Sequence, residues 1–372
     1  MAIQPIVMPK WGLAMEEGML AKWSVAPGQA VTKGQEIADI ETSKIANVFE
    51  SPAEGTIRRL VVPEGQTVSV GALLAVIADP SVPDAEVDAF VEKFQSEFTP
   101  VERSAGGGPQ TRNIQAGDLS LRVLSVGEGD GTPVLLVHGF GSDLTSWLFN
   151  QEALAEGRAV HAFDLPGHGA STKAVGTGSV AELADATLAV MDALGLDRAH
   201  FVGHSLGGAI SAHLAATRPD RVASVSLIAS AGLGREINID FIEGFIAETR
   251  ARKLKAVLEN LVADPSLITA QMIEEVIKYK RLDGSEAALR RIAGANFDGG
   301  AQSTLLRDAL AAAKAPVSVI VGEEDCVIPP THAEGLPSHI LVTRVAGAGH
   351  LPHMERSAEV NEAIKANIAK GD

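Results

Sequence analysis

The run Gly203-His204-Ser205-Leu206-Gly207 sets a serine between two glycines, with the apolar run 199–202 before it and small residues 209–216 after it. A serine hydroxyl is a weak nucleophile until a neighbouring base takes its proton. A sharp strand-to-helix turn lifts such an oxygen clear of the backbone, and glycine two residues either side removes side chains that would collide there. An ordinary strand–helix turn can show the same residues, so their companions have to decide. The chemistry requires a base and an acid that orients it. The apolar run 317–321 ends in Gly322-Glu323-Glu324-Asp325, which places carboxylates just past a strand. Asp325 is the expected acid, with Glu324 as the fallback. Ala346-Gly347-Ala348-Gly349-His350 presents a histidine in a glycine-rich loop, and His350 is the expected base. His353 lies past that turn and is expected at the surface or supporting the site from behind. His168, within 164–171, reads as part of a structural turn, and Cys326 as a small buried residue. An attacked carbonyl gathers negative charge on its oxygen, which preorganised amide hydrogens stabilise. The backbone N–H groups of Leu206 and of Phe140, in His138-Gly139-Phe140-Gly141, would supply two. No metal is called for.

These residues need a scaffold. From about residue 113, strand and helix signals alternate, as in a parallel sheet covered on both faces. Residues 119–126 and 134–137 read as an opening pair. The runs 160–163, 200–202, 225–228, 317–321 and 340–342 read as later strands. Ser179-Val180-Ala181-Glu182 is a capping box for a helix that feeds the strand ending in Ser205. Between 232 and 300 the strand pattern stops, and 241–261 and 266–281 read as helices. The order Ser205, Asp325, His350 together with 138–141 and 203–207 resembles the α/β-hydrolase family over about 113–370. That resemblance implies that residues 232–300 form a helical lid over the serine. From Arg250 to Arg291 nine Lys/Arg face six Asp/Glu, a net of +3 in a chain of −16. Arg252, Lys253 and Lys255, with Arg250 and Lys278 to Arg281, are candidates for holding the phosphates of coenzyme A; a solvated helix face is the competing reading.

The first eighty residues have another character. Gly28-Gln29-Ala30-Val31-Thr32-Lys33-Gly34 is echoed by Gly65-Gln66-Thr67-Val68-Ser69-Val70-Gly71, and each copy leads into an apolar strand. Two such halves predict a small all-β flattened barrel, with Lys44 at an exposed hairpin tip between them. Met8-Pro9-Lys10-Trp11-Gly12, Met15-Glu16-Glu17-Gly18, Pro27-Gly28 and Glu41-Thr42-Ser43-Lys44 resemble the lipoyl domains of 2-oxo-acid and acetoin dehydrogenase complexes, over residues 2–79. The resemblance implies lipoate in amide linkage on Lys44. Biotin carriers share the fold but usually flank their lysine with methionines, where Ser43 and Ile45 stand here.

The expected organisation is therefore multidomain: a carrier over 1–79, a linker over 80–112, and an α/β-hydrolase-fold domain over 113–372. The linker holds a short amphipathic helix, with Val87, Phe90, Val91, Phe94 and Phe98 on one face. That helix either docks a partner or, in the favoured reading, packs on its own neighbouring domain. A net charge of −16 argues against a nucleic-acid binder. One cysteine suits a reducing compartment, and neither a leader nor a membrane-length apolar run is seen, so a cytoplasmic protein without a membrane role is expected. Taken together the two halves resemble the acetyltransferase components of acetoin dehydrogenase complexes. That implies acetyl transfer from S-acetyldihydrolipoyl-lysine to coenzyme A; an acyl-enzyme on Ser205 is the expected route, with direct transfer as its rival. The implied partners, within an oligomeric complex, are a thiamine-diphosphate-dependent acetoin dehydrogenase component, a flavoprotein dihydrolipoyl dehydrogenase and a lipoate-attaching enzyme. A serine esterase or thioesterase tethered to a lipoyl carrier is the alternative.

Overall fold

The computed structural model describes residues 3–9, 17–41, 46–98 and 111–372, and the chain divides into two compact units, 1–108 and 109–372.

In the first unit, strands β1 (Gln4–Val7), β2 (Glu17–Trp23), β3 (Ala30–Val31), β4 (Glu36–Glu41), β5 (Ala46–Glu50), β6 (Gly55–Leu60), β7 (Gln66–Ser69) and β8 (Leu73–Ala78) form two sheets. Their orders are β1-β8-β6-β3 and β5-β4-β2-β7. Ile6, Leu20, Ile37, Ile40, Ile57, Leu74 and Ile77 fill the space between them. The sequence repeat has a structural counterpart, because each half clasps the other through matching glycines. Gly28 N–H donates to Ile57 O and Gly65 N–H to Leu20 O, both at 2.7 Å. Gly34 N–H to Ser51 O (2.8 Å) is matched by Gly71 N–H to Met8 O (2.9 Å). Strands β4 and β5 are antiparallel with Glu41 opposite Ala46. Lys44 lies outside the described residues. Helix α1 (Asp84–Glu97) lays Val87, Phe90, Val91 and Phe94 over Leu73 and Val76 of β8. Arg58 to Asp84 (2.7 Å) and Arg59 to Asp88 (2.8 Å) fasten its first turns. Such exposed, solvent-screened pairs add little, so the apolar face dominates.

The second unit is built on β9 (Arg112–Ala116), β10 (Leu119–Val126), β11 (Gly131–Val137), β12 (Arg158–Phe163), β13 (Ala199–His204), β14 (Val222–Ile228), β15 (Val317–Gly322) and β16 (Leu341–Val345). They form one sheet in the order β16-β15-β14-β13-β11-β12-β10-β9. From β16 to β12 every pairing is parallel, while β10 runs antiparallel to both β12 and β9. The expected opening pair does not form. Val134 of β11 pairs with Val160 on one side and His200 on the other, so both edges of that strand are taken by parallel partners. Strands β13, β14 and β15 are buried along their whole length, which a parallel sheet covered on both faces requires.

The covering helices are α2 (Gln151–Leu154), α3 (Val180–Leu194), α4 (Leu206–Thr217), α5 (Ile239–Ala247), α6 (Ala251–Leu258), α7 (Ala270–Lys280), α8 (Ser285–Asn296), α9 (Arg307–Ala311), α10 (Pro352–Glu355) and α11 (Ser357–Gly371). At α3 the Ser179 hydroxyl accepts Glu182 N–H at 3.3 Å, the first half of the capping box. The Glu182 carboxylate turns instead to Gly176 N–H (2.7 Å) and Gly178 N–H (3.1 Å), tying down the preceding loop. The insertion between β14 and β15 is helical, but 241–261 is not one helix. Glu248, at φ −79° and ψ 125°, leaves the helix after Ala247. The Lys280 ammonium donates to the freed Phe245 and Glu248 carbonyls, so one lysine satisfies the end of α5. No helix among the described residues is long and apolar enough to cross a membrane.

Candidate active site

Strand β13 ends and α4 begins at a single residue. Ser205 sits at φ 52° and ψ −116°, one of two non-glycine residues with positive φ among those described. Such a backbone costs on the order of 1–3 kcal/mol and persists only where its surroundings enforce it. Here Ser205 N–H donates to Ile228 O (2.9 Å), while its carbonyl accepts Gly208 N–H (2.9 Å) and Ala231 N–H (3.0 Å). The flanking glycines are required by contact. A Cβ on Gly203 would lie 2.3 Å from Gly207 O, and one on Gly207 would lie 2.1 Å from Val137 O. Leu206 opens α4, so its N–H has no carbonyl within the helix to meet.

The loop after β11 is pressed against the same turn. A Cβ on Gly139 would stand 3.0 Å from Ser205 Cβ and 2.8 Å from His204 Nδ1. His138 holds this loop through both ring nitrogens, its Nδ1 2.8 Å from Gly139 O and its Nε2 accepting Leu165 N–H at 3.0 Å. Phe140 follows Gly139, its ring among Phe245, Phe297 and His168 at centroid distances of 6.1, 6.0 and 6.2 Å. Its side chain therefore belongs to an aromatic cluster shared with the lid helix α5.

The carboxylate and imidazole expected as acid and base meet across a 25-residue separation. His350 Nδ1 donates to Asp325 Oδ2 at 2.8 Å, with both side chains buried. Asp325 Oδ1 accepts Val327 N–H (2.8 Å) and Ile328 N–H (2.9 Å), so the carboxylate cannot swing. This arrangement puts the proton on Nδ1 and leaves Nε2 with its lone pair. Glu324 is occupied elsewhere, accepting Gly347 N–H (3.3 Å) and Ala348 N–H (3.1 Å). Replacing Asp325 with Asn is expected to lower the turnover number by about 10⁴-fold, because the amide supports the wrong imidazole tautomer. Turnover beside the parent, with thermal unfolding in parallel, is the measurement, and a loss under tenfold would assign Asp325 a merely structural part.

His204, between the first glycine and the serine, was not singled out by sequence, yet its Nε2 donates to His350 O at 2.8 Å. That bond spans 146 residues and brings the 350 loop beside the serine turn. No local pattern could have signalled it. Burial, with His353 and His350 alongside, drives the His204 pKa well below the ordinary histidine value, so the ring stays neutral. His353 is fully buried, its ring 4.6 Å from His204 and 4.8 Å from Trp147, and burial lowers its pKa to about 3. It supports the site from behind and is not at the surface. His168 is equally buried and lowered to about 3 by burial, which removes it as a base near neutral pH. Cys326 is exposed, contrary to expectation, because the neighbouring Asp325 carboxylate takes the inward direction. Arg252, Lys253 and Lys255 are exposed on α6, with Lys253 3.4 Å from Glu248 and Lys255 3.9 Å from Glu259. Lys280 donates to the carbonyls at the end of α5.

Two family models match the chain, the alpha/beta hydrolase fold over residues 132–357 and the biotin-requiring enzymes over residues 4–77. The dihydrolipoyllysine-residue acetyltransferase component of the acetoin cleaving system of Pseudomonas putida is 44% identical over 99% of this chain and 99% of its own length. The protein of the same name from Cupriavidus necator is 41% identical over 98% and 97%. The chain belongs to this acetyltransferase family. Among solved structures, a meta-cleavage product hydrolase from Pseudomonas fluorescens superposes with a TM-score of 0.64 at 20% identity, over 70% of this chain and 98% of its own. That likeness concerns the fold of the second unit. The full-length match distinguishes the acetyltransferase family from hydrolases that share only the catalytic half.

Proposed function

We propose that this acetyltransferase works through an acyl-serine, with Ser205 as nucleophile, His350 as general base and Asp325 as the acid that orients it. The observation that carries the reading is the buried Asp325–His350 pair tied through His204 to the strained turn at Ser205. His350 Nε2 takes the proton of Ser205 Oγ as that oxygen attacks the carbonyl of an acetyl thioester. The Phe140 and Leu206 amides hold the oxyanion. His350 returns the proton to the departing sulfur, then takes one from the coenzyme A thiol as it attacks the acetyl-serine, and delivers that proton to the departing Ser205 Oγ, so that both residues are restored. The product is acetyl-coenzyme A.

Lys44 is the residue that would hold lipoate. A lysine within the four residues joining paired Glu41 and Ala46 fits a group that must reach away from its domain. When bound, lipoate carries the acetyl group as a thioester. The partner enzymes are a thiamine-diphosphate-dependent component that loads the acetyl group, a flavoprotein that reoxidises the dithiol and a ligase that attaches lipoate. The setting is a cytoplasmic, oligomeric complex. Arg252, Lys253 and Lys255 meet the phosphates of coenzyme A.

The test supplies S-acetyldihydrolipoamide with and without coenzyme A and separates acetyl-coenzyme A from free acetate. Acetyl-coenzyme A is expected to dominate, and replacing the three α6 cations with alanine should raise the KM for coenzyme A. Free acetate as the main product, whether or not coenzyme A is present, would establish the tethered hydrolase instead.

A further inference from the structure

Glu355, at the end of α10, is a buried carboxylate outside the proposed triad, 8% exposed. Its two oxygens go to two different parts of the molecule. Oε1 accepts Gly349 N–H at 2.8 Å, and Gly349 immediately precedes His350. Oε2 accepts Ala263 N–H at 2.8 Å, in the lid between α6 and α7. Beside it, Leu351 N–H donates to Leu261 O at 3.1 Å. The two backbones are in direct contact, since a Cβ on Gly349 would lie 2.8 Å from Ala263 N and from Val262 C. The histidine loop and lid segment 261–263 thus lie against each other, joined by one carboxylate on one side of His350 and by a backbone bond on the other.

The chemistry of this joint calls for a carboxylate. Both targets are N–H donors, and an ionised carboxylate offers an acceptor to each. Glutamine has one acceptor oxygen, and its amide nitrogen would face a second donor. Burial raises the Glu355 carboxyl pKa, while the N–H groups of Ala263, Gly349 and Leu351 act against that rise. Each oxygen nonetheless has an N–H partner of its own, Gly349 for Oε1 and Ala263 for Oε2.

We propose that Glu355 is a positioning residue that fastens lid segment 261–263 to the loop bearing His350, so the base is aligned only while the lid is seated. The inference rests on the acyl-serine reading above and adds a coupling to it. Seating of the lid and alignment of His350 become one event. Acetyl-serine therefore meets an aligned base only behind a closed cover, which favours capture by thiol over water.

The test uses full-length, lipoylated Glu355→Gln and Glu355→Asp, with rates expressed per active site titrated by a fluorophosphonate. For Glu355→Gln the turnover number per titrated site should fall on the order of 10- to 100-fold, the scale of an ångström-level misplacement of a reacting group. The ratio of free acetate to acetyl-coenzyme A should rise several-fold, while the KM for the acetyl donor changes little. Glu355→Asp keeps the charge but spans only one of the two bonds, and should fall between Gln and the parent. It also carries the test if Glu355→Gln does not fold. A residue that merely stabilised the fold would reduce the titratable fraction alone. Per-site turnover within twofold of the parent and an unchanged acetate ratio would overturn the coupling. Ser205→Ala assayed alongside separates the two ideas: inactive Ser205→Ala with unaffected Glu355 variants sinks the coupling alone, whereas active Ser205→Ala sinks the acyl-serine reading and the coupling with it.

Discussion

Ser205→Ala is expected to lower acetyl transfer to coenzyme A by on the order of 10⁵- to 10⁶-fold, the loss seen when the nucleophile of such a unit is removed. The substitution deletes one oxygen and leaves the turn intact. The strained φ of 52° is enforced by bonds from the Ser205 backbone to Ile228, Gly208 and Ala231, none of which uses the hydroxyl. Stability should therefore move little while the rate collapses, and that contrast separates a chemical role from a structural one. The measurement is acetyl-coenzyme A formation from S-acetyldihydrolipoamide, with thermal unfolding in parallel. A residual rate within tenfold of the parent would favour direct attack by coenzyme A on the thioester, leaving His350 as base and the two amides as the oxyanion site.

Lys44→Arg should abolish turnover of the assembled complex while sparing transfer from free S-acetyldihydrolipoamide. Arginine keeps the charge and presents no amine for amide linkage. A tethered donor acts at millimolar effective concentration, and losing it forfeits about 10²- to 10⁴-fold. Intact-mass analysis should show the lipoyl increment on the parent and its absence on the variant. Coenzyme A-dependent acetoin oxidation with the partner enzymes reads the flux. Undiminished flux in Lys44→Arg would place the acyl carrier on another residue or another chain. Paired with Ser205→Ala, the experiment divides the chain's two tasks: one variant loses delivery and keeps chemistry, the other keeps delivery and loses chemistry.

Much of this protein was written locally in its sequence. The repeat at 28–34 and 65–71 predicted a two-fold β unit, since each glycine turn is a short-range event. The serine turn was partly legible, because Gly203 answers a collision with Gly207 O within the turn, whereas Gly207 answers one with Val137 O on a strand seventy residues earlier. The capping serine at 179 and the carboxylate past β15 belong to the same class. Asp325 and Glu324 stand side by side in sequence, and nothing local separates them. The fold does, by giving Glu324 to Gly347 and Ala348 and Asp325 to His350. Likewise, strand order depends on which edges of β11 remain open after β12 and β13 have paired, which no reading of 119–137 contains. The break at Glu248 hides in a helical pattern until Lys280, more than thirty residues away, arrives to meet the freed carbonyls. His204 and Glu355 carry no motif of their own, and each gains its role only when distant backbone comes within hydrogen-bond reach. The sequence alone determined the kinds of chemistry present and the turns that display them, because turns and caps are settled within a few residues. The tertiary structure decided which acid meets which base and what holds the lid to the histidine loop, because those choices depend on packing between segments far apart in the chain.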